Sequence, residues 1–471
     1  MKAYINILFL VALQAGSVGA QQDSTRSILP FDTYLEIVRD QHPVARQAAL
    51  TQEAGDATLL KAKGGFDPKA YADLAQKYFK SNQYYSRLGS GLKVPTWFGL
   101  SAQAGFDQNS GVYLNPENNT PGPGLLYAGL SLTLGQGLFI DKRRAELRKA
   151  QAYQQITRLE QQLLLNELLY AAGKAYWEWF MAYHFVQVYE NARQLAQIRF
   201  DAVKEGALLG DRPFIDTLEA GIQLQNRQLA LQQAQLDFAN ATAQLSVYLW
   251  DEGFIPLEPA AGTIPEPLTG LTSTAPDPGT RGQLDSLVLI HPALTQYNYK
   301  LDQLEIDRRW KQEQLKPVLN LKYNAITEPV GNDLLAAYDV NNYTWGLEFS
   351  MPIFLRKERG DLRLANIKIQ QTELERSNKQ AALNFKAGAA LNTWFTTRDQ
   401  IALYTQTVQD YGGLLEGERQ LFDIGESSLF MVNSRELGFI NAQLKLIELI
   451  SKNQKSGLEV RYALGNLDGE M

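Results

Sequence analysis

The chain has 471 residues, a formal charge of −6 and no cysteine. Without cysteine it can hold no disulfide, thiolate metal site, cysteine nucleophile or lipid-bearing N-terminal cysteine. The acidic balance argues against nucleic acid, whose phosphates need a basic face. Residues 1–20 read as a secretion signal: Lys2, an apolar stretch from Ile5 to Ala12, and small residues Val18, Gly19 and Ala20 before Gln21. Beyond them no run of about 18 apolar residues occurs, so no helix is expected to span a membrane and only a closed β-barrel could do so.

In chain order, the remainder reads as one plan written twice. The first copy, 21–250, opens with a helix marked by His42 and Pro43, and Pro68 then introduces strands at 69–80 and 125–138. The stretch 81–124 between them reads as an extra external segment. Helix 141–205, a tip turn at 206–213 and helix 214–250 follow. Residues 251–285, rich in Pro, Gly and Thr, read as a linker. The second copy, 286–465, repeats the order: His291 and Pro292, Pro317, strands 317–327 and 342–352, helix 356–423, tip turn 424–428 and helix 429–465, with a tail at 466–471. His42 to His291 and Pro68 to Pro317 both span 249 residues (291 − 42 and 317 − 68), whereas Arg144 to Arg359 spans 215. The difference of 34 residues (249 − 215) therefore lies in the first copy, between Pro68 and Leu138.

The repeat explains the histidines. Proline suits the first turn of a helix, and the residue before it is pushed out of helical geometry and can cap. His42 and His291 are thus helix starts rather than catalysts, and His184 falls on a helical seam with Ile156, Leu163, Tyr170, Gly173, Trp177 and Phe180. In the next helix Ile215, Leu218, Ile222, Gln225, Leu229, Gln232 and Leu236 repeat the same spacing and read as its seam.

The strand segments alternate instead. Leu319, Leu321 and Tyr323 oppose Asn320, Lys322 and Asn324; Tyr343, Trp345, Leu347 and Phe349 oppose Thr344, Gly346, Glu348 and Ser350. Leu100, Ala102, Ala104 and Phe106 also alternate. This is the pattern of membrane strands with one apolar and one polar face. If the flanking helices share one side of the membrane, each copy crosses an even number of times. Three candidates in the first copy then leave one in the external segment, giving four crossings per chain. Four strands cannot enclose a barrel, for which eight is about the minimum, so the chain is expected to oligomerise. No GxSxG, P-loop, HExxH or zinc spacing occurs, so neither catalysis nor a cofactor or metal is expected.

Three features together carry a resemblance. They are the paired Pro-marked helix starts, the junctions LFIDKRRAELRKA (from Leu138) and IFLRKERGDLRLA (from Ile353), and FDIGESSLFMVNSRE at the second turn. Over residues 30 to 465 the chain resembles the TolC-type outer-membrane efflux and secretion channels, although that family usually has Asn-Pro where this chain has His-Pro. The resemblance implies a mixed α/β membrane protein: a homotrimer with a twelve-stranded barrel in outer-membrane lipid, continued by a periplasmic tunnel of coiled helices. It implies docking to a periplasmic adaptor and an inner-membrane pump. The contact tips would be Gly206, Ala207, Leu208 and Gly210 with Gly425, Glu426, Ser427 and Ser428. Asp216 and Glu219 would form an acidic ring at the tunnel's narrow end. The rival reading is a periplasmic coiled-coil adaptor without a pore.

Overall fold

The computed structural model describes residues 27–269, 271, 276, 279–329 and 339–467. The expected signal segment and residues 468–471 of the tail lie outside them. The elements run β1 (Ile28–Leu29), α1 (Phe31–Gln41), α2 (Pro43–Lys63), β2 (Lys69–Phe79), β3 (Asn82–Pro95), β4 (Leu100–Ser110), β5 (Leu125–Thr133), α3 (Lys142–Leu209) and α4 (Phe214–Ser246). Then come β6 (Ile264–Pro265), α5 (Leu284–Leu289), α6 (Pro292–Glu313), β7 (Val318–Thr327), β8 (Tyr343–Ser350), α7 (Arg356–Asp423) and α8 (Leu429–Ala463).

One antiparallel sheet has the order β2-β3-β4-β5-β7-β8. This corrects the expected four strands per chain and the reading of 81–124 as wholly external. Asn82–Pro95 and Leu100–Ser110 are full strands, paired from Lys69↔Lys93 through Pro95↔Ser101 to Leu100↔Leu132. β3 escapes a period-two reading because Ser86 and Ser90 sit among its apolar positions and Gly89 and Gly91 among its polar ones. Each half contributes an even number of strands to this sheet, four and two. The strand expected to reach 138 ends at Thr133, and Gly137 then takes a positive φ of 95° to turn the chain into α3.

That turn is fastened by Arg144. Its buried guanidinium donates to the carbonyls of Gly137 and Leu138, while Asp141 Oδ1 accepts from Arg144 N at 2.8 Å and caps α3. Arg359 does not repeat this: it is exposed, and the residue before α7, Leu355, makes no side-chain cap and has φ 49°.

Both 68-residue helices, α3 and α7, run about 100 Å at 1.5 Å per residue. Midway along α3 lies the main core. Phe31, Tyr34, Leu35 and Val38 of α1 meet Leu169, Ala172, Tyr176, Trp177 and Phe180 of α3, with Leu245 and Leu458 closing the sides. Phe31 meets Tyr176 edge-on at 5.2 Å, and Tyr176 Oη donates to Leu29 O at 2.8 Å. Gly173 lets α8 approach, because a Cβ there would lie 2.5 Å from Leu458 Cδ2.

The histidines sit in this frame. His42 Nδ1 accepts from Val44 N at 3.1 Å, and His291 Nδ1 accepts from Ala293 N at 3.0 Å, so each imidazole caps its helix. Burial, with Lys379 adding to it, pulls the His291 pKa down to about 4. Burial also takes His184 to about 4, partly opposed by its bond to the Glu266 carbonyl.

An unfolded chain protonates these rings near the ordinary value of about 6.5. Between about 6.5 and about 4 the unfolded state therefore holds more protons, and their stabilising contribution, complete above that window, is lost as pH falls through it. The melting temperature should drop across this range, and His291→Asn, which can cap without titrating, should make the drop shallower. An unchanged slope would contradict this assignment.

Candidate functional site

The two helical tips are built alike. Gly210 has φ 85° and Gly425 φ 83°. At the first, Gly210 N donates to Ala207 O (3.2 Å) and Asp211 N to Gly206 O (3.0 Å); at the second, Gly425 N donates to Phe422 O (3.1 Å) and Glu426 N to Leu421 O (2.9 Å). This paired closure satisfies the last carbonyls of each long helix and needs a residue that tolerates positive φ. Gly210, not Gly206, is thus the turn residue; Gly206, Ala207 and Leu208 belong to α3. The 215-residue spacing seen at Arg144 and Arg359 carries Gly210 onto Gly425 (425 − 210). Because α4 and α8 each start four residues later, at Phe214 and Leu429, the tips are of equal length, not three residues apart as a turn starting at Gly206 would make them.

They differ in surface. Leu208, Leu209 and Phe214 are exposed at the first tip, against Ile424 and Phe430 at the second. Glu426 is exposed there, Ser427 Oγ donates to Glu418 Oε1 at 2.5 Å, and Ser428 Oγ accepts from Met431 N at 3.3 Å. The tips touch each other: Val203, Ala220 and Leu429 share a small core with Phe200 and Phe422, and the Arg212 guanidinium lies 4.1 Å from the Phe422 ring centre.

Behind them all four helices meet at one carboxylate. Glu436 of α8 is 3 % exposed. It pairs with Arg199 of α3, with Arg227 of α4 at 3.7 Å and with Arg419 of α7 at 4.0 Å. Asn433 bridges the same group, accepting from Arg199 (2.8 Å) and donating to Glu219 Oε1 (3.1 Å). Glu219 therefore faces the second hairpin of its own chain. Asp216, in the first turn of α4, is half-buried and shares no such bond with it. Among the described residues no group of three or more His, Cys, Asp or Glu could hold a metal ion.

The α4 stripe read as a seam is turned outward. Ile215, Leu218, Ile222, Leu229 and Leu236 are exposed, while Ala220, Leu224, Arg227, Leu231 and Ala234 face the chain's own helices. On α7, Leu364, Leu374, Phe385 and Leu403 are exposed as well. Each helix has two apolar stripes, and only one finds a partner within the chain.

At the far end, the sheet has two unlike faces. One face carries Leu74, Leu88, Phe106, Leu130, Tyr323 and Trp345; the other carries Lys93, Gln103, Asn324, Lys322 and Glu348, with Gln103 Nε2 donating to Asn324 Oδ1 at 2.7 Å. The 111–124 connection folds over the polar face, where Glu117, Asn118 and Thr120 line one cleft with Asp107, Lys322 and Thr344. Asn109 N donates to Thr120 Oγ1 at 2.9 Å and holds it there. No described helix is long and apolar enough to cross a membrane.

Residues 284–466 match the family model described as outer membrane efflux protein. Residues 284–466 thus carry the outer membrane efflux protein domain. No curated protein sequence matches the chain. Several solved outer-membrane channels share its fold. The Campylobacter jejuni CmeC channel has a TM-score of 0.65 at 16 % identity, covering 98 % of this chain and 94 % of that one. VceC from Vibrio cholerae gives 0.65 at 15 %, covering 93 % and 96 %. The open state of Neisseria gonorrhoeae MtrE gives 0.66 at 12 %, covering 93 % and 89 %. The efflux protein domain spans α5 to α8 with β7 and β8, and so contains Glu436 but not the arginines of α3 and α4.

Sequence reading missed the Glu436 group. The available signal was charge at helical spacing beside apolar residues: Arg227 sits three residues from Leu224 and four from Leu231, and Glu436 four from Ile440. Removing one partner of a buried ionic group commonly costs about 3–5 kcal/mol. Glu436→Gln should therefore loosen the tips, read as faster amide exchange across 199–227 and 419–440 with the core around Trp177 unchanged. Equal exchange in both forms would remove the group from any role in joining the hairpins.

Proposed function

We propose that the protein is the outer-membrane channel of a tripartite efflux pump or type I secretion system, a passive duct from periplasmic adaptor and inner-membrane pump to the exterior. The observation that supports this most is a two-faced antiparallel sheet too narrow to close by itself, joined directly to helical hairpins about 100 Å long. In this reading three copies close both the sheet and the helical tunnel, and the exposed stripes of α4 and α7 pack against neighbouring copies. The apolar sheet face meets outer-membrane lipid and the polar face lines the exit. The helices then extend into the periplasm.

The tips around Gly210 and Gly425 meet the adaptor in this reading. Their exposed Leu208, Leu209 and Phe214 offer an apolar contact, and Glu426 a charged one. Asp216 remains the acid for a ring at the narrow end, while Glu219 serves the link to Asn433. Three carboxylates gathered at one axis would attract cations and repel each other. No catalytic step belongs to this reading. A pore-free periplasmic adaptor would account for the hairpins but leaves the two-faced sheet without a purpose.

The protein should fractionate with the outer membrane and run as an SDS-resistant, heat-dissociable oligomer. A monomer released by osmotic shock would overturn the channel reading. In planar bilayers, Asp216→Ala should raise single-channel conductance and lower cation preference, whereas unchanged values in both would discard the ring.

A further inference from the structure

The hairpin formed by β3 and β4 lies between strands that a four-stranded sheet would place side by side. We propose that this hairpin is part of the membrane wall, so that a closed assembly takes six strands from each copy, eighteen when three copies close. The partner at each free edge is a second copy of the chain. The proposal rests on the channel reading above and changes the exit that reading implies from twelve strands to eighteen.

Four observations carry it. First, the backbone ladder runs along both sides of the hairpin, continuous over Lys69–Lys77 with β2 before a bulge at Lys77/Tyr78, and over Leu100↔Leu132 to Asp107↔Leu125 with β5. Second, the polar face is built across it. Tyr71 of β2 and Tyr127 of β5 occupy one row with Gly91 and Gly105 between them, and their hydroxyls hydrogen-bond to each other over those glycines. Three strand spacings of about 4.8 Å separate the two tyrosine backbones. A Cβ at Gly91 would lie 2.8 Å from Tyr71 Oη, and one at Gly105 2.6 Å from Tyr127 Cζ, so the inserted strands are shaped to let the rings lie flat. Gln103 of β4 likewise reaches across Gly129 of β5 to Asn324, which donates to Thr344 of β8 at 3.3 Å.

Third, the opposite face of the hairpin is apolar where its neighbours are. Leu88, Leu92, Ala104 and Phe106 continue the row of Leu74 and Leu126. A hairpin standing in external water would need no such face. Fourth, its inner turn carries exposed Trp97 and Phe98 at the helix-side rim, with Gly99 3.8 Å (as a Cβ) from Leu138 O beside exposed Phe139. Aromatic residues at that level match a membrane–water boundary.

The free edges call for another copy. β2 runs away from the helices and β8 back toward them, so β8 of one copy meets β2 of the next antiparallel, as every other pair in the sheet does. On the polar face β2 carries Lys69 and Lys77, and β8 carries Glu348. At constant strand tilt the barrel diameter grows roughly linearly with strand number, so eighteen strands give an exit about 1.5 times wider than twelve.

The absence of native cysteine allows a clean test by paired substitution in the full-length protein in its membrane. Ala104→Cys with Ala128→Cys joins β4 to β5, and Ala72→Cys with Ala128→Cys joins β2 to β5. Disulfides need Cα atoms within about 7 Å, so the first pair should cross-link at least about tenfold more than the second. The reverse order would place β2 beside β5 and overturn the proposal. Cryo-electron microscopy of the unmodified protein in nanodiscs then counts strands per copy and copies per ring. Four membrane strands per copy overturns the proposal even if the ring is a trimer. Six per copy in a ring of another size upholds the wall assignment and overturns only the trimer.

Discussion

Strand edges inside hydrocarbon leave no room for compromise. Each free N–H and C=O there lacks water, and each unsatisfied group costs several kcal/mol. In the channel reading β2 and β8 expose such edges along 11 and 8 residues, and six strands are too few to bend them together. The demand for a neighbour at the sheet is matched by a demand at the helices, where α4 and α7 leave whole apolar stripes uncovered. Sheet and helices are thus incomplete in the same way, and the proposed assembly would satisfy both.

Between these open ends lies the main core. The aromatic belt of α1 and α3, sealed by Leu245 and Leu458, is where the two halves of the chain share most of their dry contact. It holds α1, α3, α4 and α8 together without a disulfide, and Gly173 sets how closely α8 can lie. Away from it the buried clusters are smaller, such as Val203, Ala220 and Leu429 at the tips. Stability therefore concentrates at mid-height, and the ends depend on polar fastenings: Arg144 over the Gly137 turn, and Glu436 among its arginines.

Much of this was readable from residue order alone. The helices of α3 and α7, the strands β2, β5, β7 and β8, and the capping histidines follow from periodicity and from proline placement. What escaped did so for physical reasons. β3 places Gly89 and Gly91 on its polar face, Gly91 under the hydroxyls of Tyr71 and Tyr127, and this erases the alternation that reveals a strand. Gly206 and Gly210 both look like helix ends, and only the carbonyls accepting from 210 and 211 decide between them. In α4 two stripes of similar hydrophobicity run side by side. The larger residues, Ile215, Leu218 and Ile222, mark the stripe left uncovered within the chain, because helices of one chain approach closely over small residues such as Ala220 and Ala234. Charge is hardest to read: nothing local marks Glu436 as the one acid that three distant arginines share.

That shared acid has a mechanical meaning. A single side chain ties four helices at one level, so a push on either hairpin reaches the other before it reaches the sheet. Anything that grips one tip from below therefore moves both as a stiff lever, with its fulcrum at the aromatic belt some tens of ångströms above.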